Sequence, residues 1–225
     1  MRRLPVPPCP QDWELWTEVS TEPGSHTLRV DDVLVNRSSY EREYQIIYHT
    51  NFGPPILGEG ATFEAPVASV SPFNAQAAAE VGSWQTYQGP TAHYGETVFC
   101  VTPHSDASGR TLVALVDAAG DRGISCRYTT GSLPSLSLWK NTDTLEEGYV
   151  TGIEPGSGFP YRRELERKAG RVPTLPPGGS TRFSLEWQLL ADAAAVSATK
   201  AEIRAIERGR ATTVAHCARG AKYEP

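Results

Sequence analysis

The sequence predicts an all-β protein built as an antiparallel β-sandwich, and three observations carry this prediction. First, 20 glycines and 18 prolines among 225 residues interrupt regular structure too often for a helical bundle. Second, short runs of β-branched and aromatic residues recur along the chain, each bounded by Gly, Pro, Asp or Ser. Third, 39% hydrophobic and 21% charged residues are typical of a globular chain that buries a core. We therefore expect one domain over 1–225, with a proline-rich arm at 1–12 and a loose tail at 211–225.

The chain opens, after the arm, with a predicted hairpin. Residues 13–19 and 26–35 alternate aromatic or β-branched residues with polar ones, and the turn Glu22-Pro23-Gly24 separates them. Further short strands are predicted at 61–70, 96–102, 111–117, 123–129, 136–140, 148–153 and 181–190. Their regular spacing favours an antiparallel sandwich.

Two segments have helical signals. Asn74 precedes an alanine-rich stretch and is able to cap one or two helical turns over 74–81. The segment 192–208 is predicted to form a C-terminal helix, because its apolar residues recur at helical spacing and Gly209 follows as a stop. We expect this helix to be a packing element.

Charge and motifs exclude several function classes. A net charge of −5 and the absence of any long Lys/Arg run argue against nucleic-acid binding. No apolar run is long enough to span a membrane, and the prolines that follow Arg3 interrupt the apolar core of a signal peptide, so we expect a cytoplasmic protein. The four cysteines are widely spaced and no nucleotide-binding or zinc motif occurs, so we expect no metal and no cofactor.

A histidine stands where a predicted strand meets a rigid turn. The run 44–48 is predicted as a strand that ends at His49, because the segment 51–55 (NFGPP) excludes both a helix and a central strand. His49 would be a usable general acid, since an ordinary imidazole pKa of about 6.5 makes both protonation states accessible near neutrality. The alternative is a structural histidine bonded to a backbone carbonyl.

A glutamate ends another predicted strand. Glu154 follows the run 148–153 and is surrounded by glycines and prolines, which leave a ligand space to approach its carboxylate. Such a residue could act as a general base, or it could simply cap a turn.

Two more segments carry candidate binding residues. The charged segment 161–168 is typical of a solvated helical turn, although one of its arginines could bind a ligand. The aromatic residues Trp84 and Trp139, together with Glu96, would suit the apolar face and hydroxyl rim of a sugar. The alternative for both tryptophans is a place in the core.

Taken in order, several of these blocks resemble a known family. They are Asp32-Val33-Leu34-Val35-Asn36, the YHTNFGPPIL block, Ser83-Trp84 with Pro90 and Glu96, Leu133-Pro134 with Trp139-Lys140, and YVTGIEPGSGFPYRRELERKAGRVPTLPPGGS. Over about residues 14–190 the chain resembles the aldose 1-epimerase (galactose mutarotase) superfamily, and more closely its DUF4432 subgroup. The last block is the most specific, because it combines a strand-borne Glu, an Arg pair and a Gly-Arg-Val-Pro turn.

The resemblance implies a fold and a chemistry. The fold would be an antiparallel β-supersandwich whose concave face binds a monosaccharide or a sugar derivative. Enzymes of this superfamily interconvert sugar anomers by acid–base chemistry without a cofactor. The family's base matches Glu154 and its acid matches His49, while Asn51, Glu96, Trp139 and Arg163 are the expected binding residues.

The resemblance also shows departures. Family members are generally longer at the N-terminus, where strands, an arginine and a second histidine contribute to the sugar site. We therefore expect a shortened form, a natural fragment or a mis-started reading frame, in which His93 could at best replace the second histidine. A non-catalytic carbohydrate-binding protein is the alternative. An exposed sheet edge would also allow a homodimer.

Overall fold

The computed structural model describes residues 12–216, so residues 1–11 of the predicted arm and residues 217–225 of the predicted tail lie outside the described part. The strands are β1 (Trp13–Ser20), β2 (Thr27–Asn36), β3 (Arg42–Glu43), β4 (Thr50–Phe52), β5 (Thr62–Glu64), β6 (Val67–Pro72), β7 (Thr97–Pro103), β8 (Arg110–Val116), β9 (Gly123–Thr129), β10 (Ser135–Asn141), β11 (Val150–Gly156), β12 (Thr174–Leu175), β13 (Ser180–Leu190) and β14 (Thr213–Val214). The helices are α1 (Ala75–Ala79), α2 (Arg163–Lys168) and α3 (Ala193–Glu207).

Two six-stranded sheets form the body of the protein. The first sheet has the order β1-β2-β13-β9-β8-β5, and the second has the order β14-β6-β7-β10-β11-β4. Neighbouring strands are antiparallel except β14, which pairs parallel with β6 at the edge of the second sheet. The predicted all-β antiparallel class is confirmed.

The core lies between the two sheets. Phe99, Leu138 and Ile153 of the second sheet are completely buried, as are Val113 and Leu115 of the first sheet. Because side chains alternate along a strand, residues on either side of these in sequence point away from the core. This alternation is what places the polar residues of β7, β10 and β11 on the opposite face of the second sheet.

The helices differ in how they pack: α1 contributes the buried Ala77 to the main core, whereas α3 packs on the first sheet. Asn74 caps α1 and accepts a hydrogen bond from Ala77 N at 2.8 Å, as its sequence predicts. The predicted helix at 192–208 is confirmed as α3, and Asp192 caps it. Its residues Val196, Ile203 and Ile206 pack on β8 and complete a second apolar cluster. The C-cap of the helix is Arg208, which has a left-handed backbone conformation and lies one residue before the predicted stop at Gly209.

Two segments differ from what their sequences predict. Residues 44–48 do not form a strand, because their backbone groups bond to several different segments: Tyr44 N donates to Pro173 O, and Tyr48 N donates to Pro155 O. The strand is instead β4, at the sheet edge, so His49 precedes a strand rather than ending one. The predicted loose tail is also partly ordered, since β14 extends the second sheet.

Candidate active site

One face of the second sheet carries a row of polar side chains that we call the site row: Glu154, Ser137, Cys100 and Ser71. Each is the direct cross-strand partner of the next, through β11, β10, β7 and β6. Their strand neighbours fill the core, so the row faces away from it. The site row is therefore a consequence of strand register.

His49 extends the site row beyond Glu154. Thr50 in β4 pairs with Ile153 in β11, and the antiparallel register continued by one step sets His49 opposite Glu154. His49 Nε2 lies 3.0 Å from Glu154 Oε1. The two residues predicted from separate sequence blocks as acid and base are thus in direct contact.

The two partners differ strongly in exposure. The Glu154 side chain is 6% exposed, whereas the His49 side chain is 54% exposed. Burial raises the pKa of Glu154 above its usual range, and the positive charge of His49 opposes this rise. Burial is the stronger effect on the pKa of Glu154, because the carboxylate is deeply buried while its partner is open to water. Among residues 12–216, Glu154 Oε1 accepts no well-formed hydrogen bond, although Nε2 is close.

Gly152 provides the space for the Glu154 carboxylate. A Cβ placed on Gly152 would overlap Glu154 Oε1 and would lie 3.2 Å from Cδ. Both residues belong to β11 and point to the same face, two positions apart. The carboxyl group therefore folds back over the glycine. The sequence suggested that glycines here make room for a ligand, and the structure shows one making room for the carboxylate itself.

Ser137 adds a second unsatisfied polar atom next to Glu154. It is 1% exposed, and its Oγ has no hydrogen-bond partner in the described part of the chain. Directly opposed residues in a sheet stand about 5 Å apart. Since a buried hydroxyl without a partner is costly, Ser137 Oγ and Glu154 Oε1 together are suited to bind a polar group that a ligand or water provides.

Trp139 and Asn51 flank the pair. Gly152 is the cross-strand partner of Asn51 on one side and of Trp139 on the other, so the three residues form a second row beside the site row. The Trp139 and His49 rings are in edge contact, with centroids 5.7 Å apart. Of the four predicted binding residues, Asn51 and Trp139 thus lie beside the His49–Glu154 pair.

The other two predicted binding residues lie in different surroundings. Arg163 begins α2, and its Nε donates to Gln45 Oε1 at 2.8 Å. Glu96 is exposed just before β7, and its carbonyl accepts a hydrogen bond from Asn74 Nδ2. His93 has a left-handed backbone with φ 63°, and its N–H donates to Asp143 Oδ1. The structure describes no contact between these three residues and the His49–Glu154 pair.

Sequence reasoning missed an aromatic pair at the other end of the site row. Tyr161 stacks on Phe73 with ring centroids 4.6 Å apart, and its hydroxyl lies 3.8 Å from Cys100 Sγ. Burial raises the pKa of Tyr161. Its place at the start of the charged segment 161–168 could have drawn attention to it, but only the fold brings it over β7.

A buried ion pair supports the segment that carries Tyr161. Glu166 is completely buried, accepts from Phe159 N at 2.9 Å, and pairs with Arg171 through two hydrogen bonds. The Arg171 guanidinium also lies 5.1 Å from the centre of the Phe159 ring. This cluster holds the chain between β11 and α2 in one conformation. Over residues 12–216, no group of three or more His, Cys, Asp or Glu side chains is arranged to hold a metal ion.

The two antiparallel sheets define a β-sandwich of the galactose mutarotase-like class. The family model for the domain of unknown function DUF4432 matches residues 9–189. The chain therefore belongs to the DUF4432 family. No protein with a curated function matches the sequence at significant similarity.

Solved structures agree with this class. A provisionally assigned aldose 1-epimerase of Klebsiella pneumoniae is 45% identical with a TM-score of 0.92, and the match covers 95% of this chain and 56% of that one. A galactose mutarotase related enzyme of Lactobacillus acidophilus is 14% identical with a TM-score of 0.52, covering 80% of this chain and 68% of that chain. A provisionally assigned aldose 1-epimerase of Escherichia coli is also 14% identical with a TM-score of 0.52, covering 79% and 60%.

These matches differ in what they show. The Lactobacillus and Escherichia proteins show the fold alone. The Klebsiella protein is much more similar, but this chain spans little more than half of its length. In the described part of the chain, no helix is long and apolar enough to cross a membrane.

Proposed function

We propose that this protein is an aldose 1-epimerase-like isomerase that interconverts the anomers of a monosaccharide or sugar derivative. Glu154 is the proposed general base and His49 the proposed general acid. The observation that carries the proposal is the 3.0 Å contact between His49 Nε2 and Glu154 Oε1, beside an aromatic ring and unsatisfied polar atoms. The name of the Klebsiella protein supports the same substrate class.

The reaction needs a base and an acid close together. The Glu154 carboxylate takes the proton from the C1 hydroxyl while the His49 imidazolium donates a proton to the ring oxygen. The bond between C1 and the ring oxygen breaks and a free aldehyde forms. Rotation about C1–C2 and the reverse proton transfers then give the other anomer. Since both reacting oxygens are bonded to C1, a base and an acid in contact are well placed to reach them.

The exposure of the two residues fits these roles. His49 is half-exposed, so a sugar can approach the imidazole from solvent. Glu154 is buried, and its raised pKa makes the carboxylate a stronger base than an ordinary glutamate. On ring closure the two residues exchange roles, so pKa values nearer neutrality serve both ring opening and ring closure.

Trp139 and Asn51 supply the proposed binding contacts. The apolar face of a pyranose would stack on the Trp139 indole, and the Asn51 amide would bond a hydroxyl at the sheet edge. Arg163 and Glu96 lie outside the group formed by His49, Glu154, Trp139 and Asn51, so they could contact a sugar only from outside that group. A cytoplasmic location and a homodimer stay predictions from the sequence.

The test is anomer exchange measured by NMR saturation transfer on a panel of aldoses. We expect Glu154→Gln and His49→Gln each to reduce the exchange rate by about 10²-fold or more. Glu18→Gln on β1 and His26→Gln in the β1–β2 turn are matched controls that should keep the wild-type rate. Wild-type exchange no faster than that of Glu154→Gln, with a sugar still bound, would identify a carbohydrate-binding protein instead.

A further inference from the structure

Lys140 is a buried amine on the face of β10 opposite Trp139. Its side chain points toward the core side of the second sheet, and the residue is 3% exposed. Nζ donates a hydrogen bond to Thr86 O at 2.9 Å and lies 4.5 Å from the centre of the Tyr87 ring. These neighbours hold the amine in place, but neither of them carries a negative charge.

The amine has no carboxylate partner at ion-pair distance within residues 12–216. Burying a charge without a partner is unfavourable, so burial favours the neutral form of the Lys140 amine. Burial lowers the pKa of Lys140 to about 8, although Glu80 favours the charged form. A neutral lysine amine is a nucleophile, and buried lysines with lowered pKa values are typical of functional sites.

Lys140 lines a cavity of about 240 Å³. The buried residues Lys140, Tyr87 and Thr142 line its inner part, and the half-buried Glu80 and the exposed Gln88 lie nearer its rim. The cavity thus connects the amine with solvent. It lies on the other face of the sheet from the His49–Glu154 pair and shares no residue with it.

A proton donor and acceptor pair lies in the same cavity. Tyr94 Oη donates to Glu80 Oε2 at 2.6 Å, and Thr97 Oγ1 lies 3.0 Å from the same hydroxyl. Burial raises the pKa of Tyr94 to about 12. The tyrosine therefore keeps its proton at neutral pH and donates it in a hydrogen bond to the Glu80 carboxylate.

We propose that this cavity is a second site, in which Lys140 Nζ forms a reversible imine with a short hydroxyaldehyde. The amine lone pair attacks the aldehyde carbon, and a proton passes from nitrogen to the carbonyl oxygen to give a carbinolamine. The Tyr94–Glu80 pair protonates the oxygen, the C–O bond breaks and water leaves while the nitrogen lone pair forms the C=N bond; the N–H proton of the resulting iminium then returns to the pair. Hydrolysis reverses every step, so no oxidant or reductant is needed.

The lining selects the class of ligand. A cavity of this volume has room for a chain of a few carbon atoms. Thr142, Gln88 and Tyr94 offer hydroxyl and amide groups that suit a hydroxylated chain. The Glu80 carboxylate at the rim disfavours anionic aldehydes, because like charges repel. A neutral hydroxyaldehyde is therefore the ligand that fits the site.

The test uses the complete chain with glycolaldehyde as the probe. The protein is incubated at pH 8 with glycolaldehyde and cyanoborohydride, which reduces any imine to a stable secondary amine, and the lysines are then mapped by peptide mass spectrometry. We expect about tenfold more adduct at Lys140 than at Lys168 or Lys200, because more of the buried amine is neutral. Equal or lower labelling of Lys140, or labelling only after denaturation, would overturn the proposal.

Variants separate this site from the proposed isomerase. Tyr94→Phe should slow adduct formation at Lys140 by about tenfold, because the proton donor is lost. Glu154→Gln should label like the wild type, since it lies on the other face of the sheet. If Glu154→Gln alone loses labelling, the aldehyde is bound at the site row and the second site does not exist. If anomer exchange fails but Lys140 labels selectively, only the proposed isomerase function is lost.

Discussion

The carboxylate of Glu154 occupies the space that a Cβ on Gly152 would fill. This relationship holds the proposed base folded along its own strand and toward His49. A residue with no side chain is therefore as necessary to the geometry as the two ionisable residues. The position of the base depends on packing around it as well as on its own identity.

Gly152→Ala should displace the carboxylate and reduce anomer exchange. A shift of about 1 Å at a reacting group can cost about 10²-fold in rate, and we expect a loss of that size. Gly58→Ala is the matched control, because a Cβ there has no neighbour within 4 Å. Saturation-transfer rates and circular dichroism spectra of both variants provide the measurement. A Gly152→Ala protein with wild-type rates would show that the carboxylate position is not important.

Ser137→Ala should separate ligand binding from stability. Its hydroxyl is buried without a partner, so its removal should leave the free energy of unfolding unchanged or raise it by about 1 kcal/mol. If the hydroxyl bonds a sugar, KM should rise severalfold in the same variant. Urea unfolding and exchange kinetics give the two quantities. A destabilised variant with unchanged KM would contradict this role and identify Ser137 as structural.

His49→Gln should raise the pKa of Glu154. The positive charge of His49 lowers that pKa against the effect of burial, so without it the carboxyl group should hold its proton to higher pH. Carbon-13 NMR of glutamate carboxyl groups measures the shift, with Glu154→Gln assigning the signal and His26→Gln as the control. The raised pKa also affects catalysis. As the pH is lowered, the wild-type rate of anomer exchange should begin to fall at a higher pH than it would with an ordinary glutamate as the base. An unchanged or lower value in His49→Gln would mean that the two groups do not interact in solution.

Glu166→Ala should destabilise the protein by about 3 kcal/mol, because Arg171 and the Phe159 N–H would lose their buried partner. Glu202→Ala removes a more exposed ion pair with Arg127 and should cost less than about 1 kcal/mol. Urea denaturation of both variants compares the two losses. Equal losses would show that the Glu166 cluster does not stabilise this segment.

Because of Lys140, the free energy of unfolding should change with pH in the alkaline range. The native amine releases its proton near pH 8, whereas an ordinary lysine does so near 10.5, so the unfolded chain binds more protons between these values. Stability attributable to Lys140 should therefore rise as pH increases through this window. The Lys140→Met variant should lack this rise. The difference between the wild type and the variant in free energy of unfolding against pH isolates the effect of Lys140 from the effects of Tyr87 and Tyr94, which also face the cavity. Parallel curves would mean that the amine is not buried as described.

The sequence by itself determined most of the fold. Alternating β-formers separated by Gly and Pro located the hairpin of β1 and β2 and the strands β7 to β11 and β13, and an apolar stripe at helical spacing followed by Gly209 located α3. These signals are local, because side-chain alternation and capping depend on residues close together in the chain. His49 and Glu154 were also singled out from local features, as polar residues at element ends.

Only the tertiary structure decided which of these residues meet. The register of β4 on β11 sets His49 against Glu154, and the register of β10 brings Ser137 and Trp139 beside them, although more than a hundred residues separate His49 from Glu154. The run 44–48 had strand composition but found no single partner strand, and Tyr161 lies beside Cys100 of β7 although its own segment predicted only a solvated helical turn. Pairing between distant strands is settled by the packing of the whole core, which no local segment records.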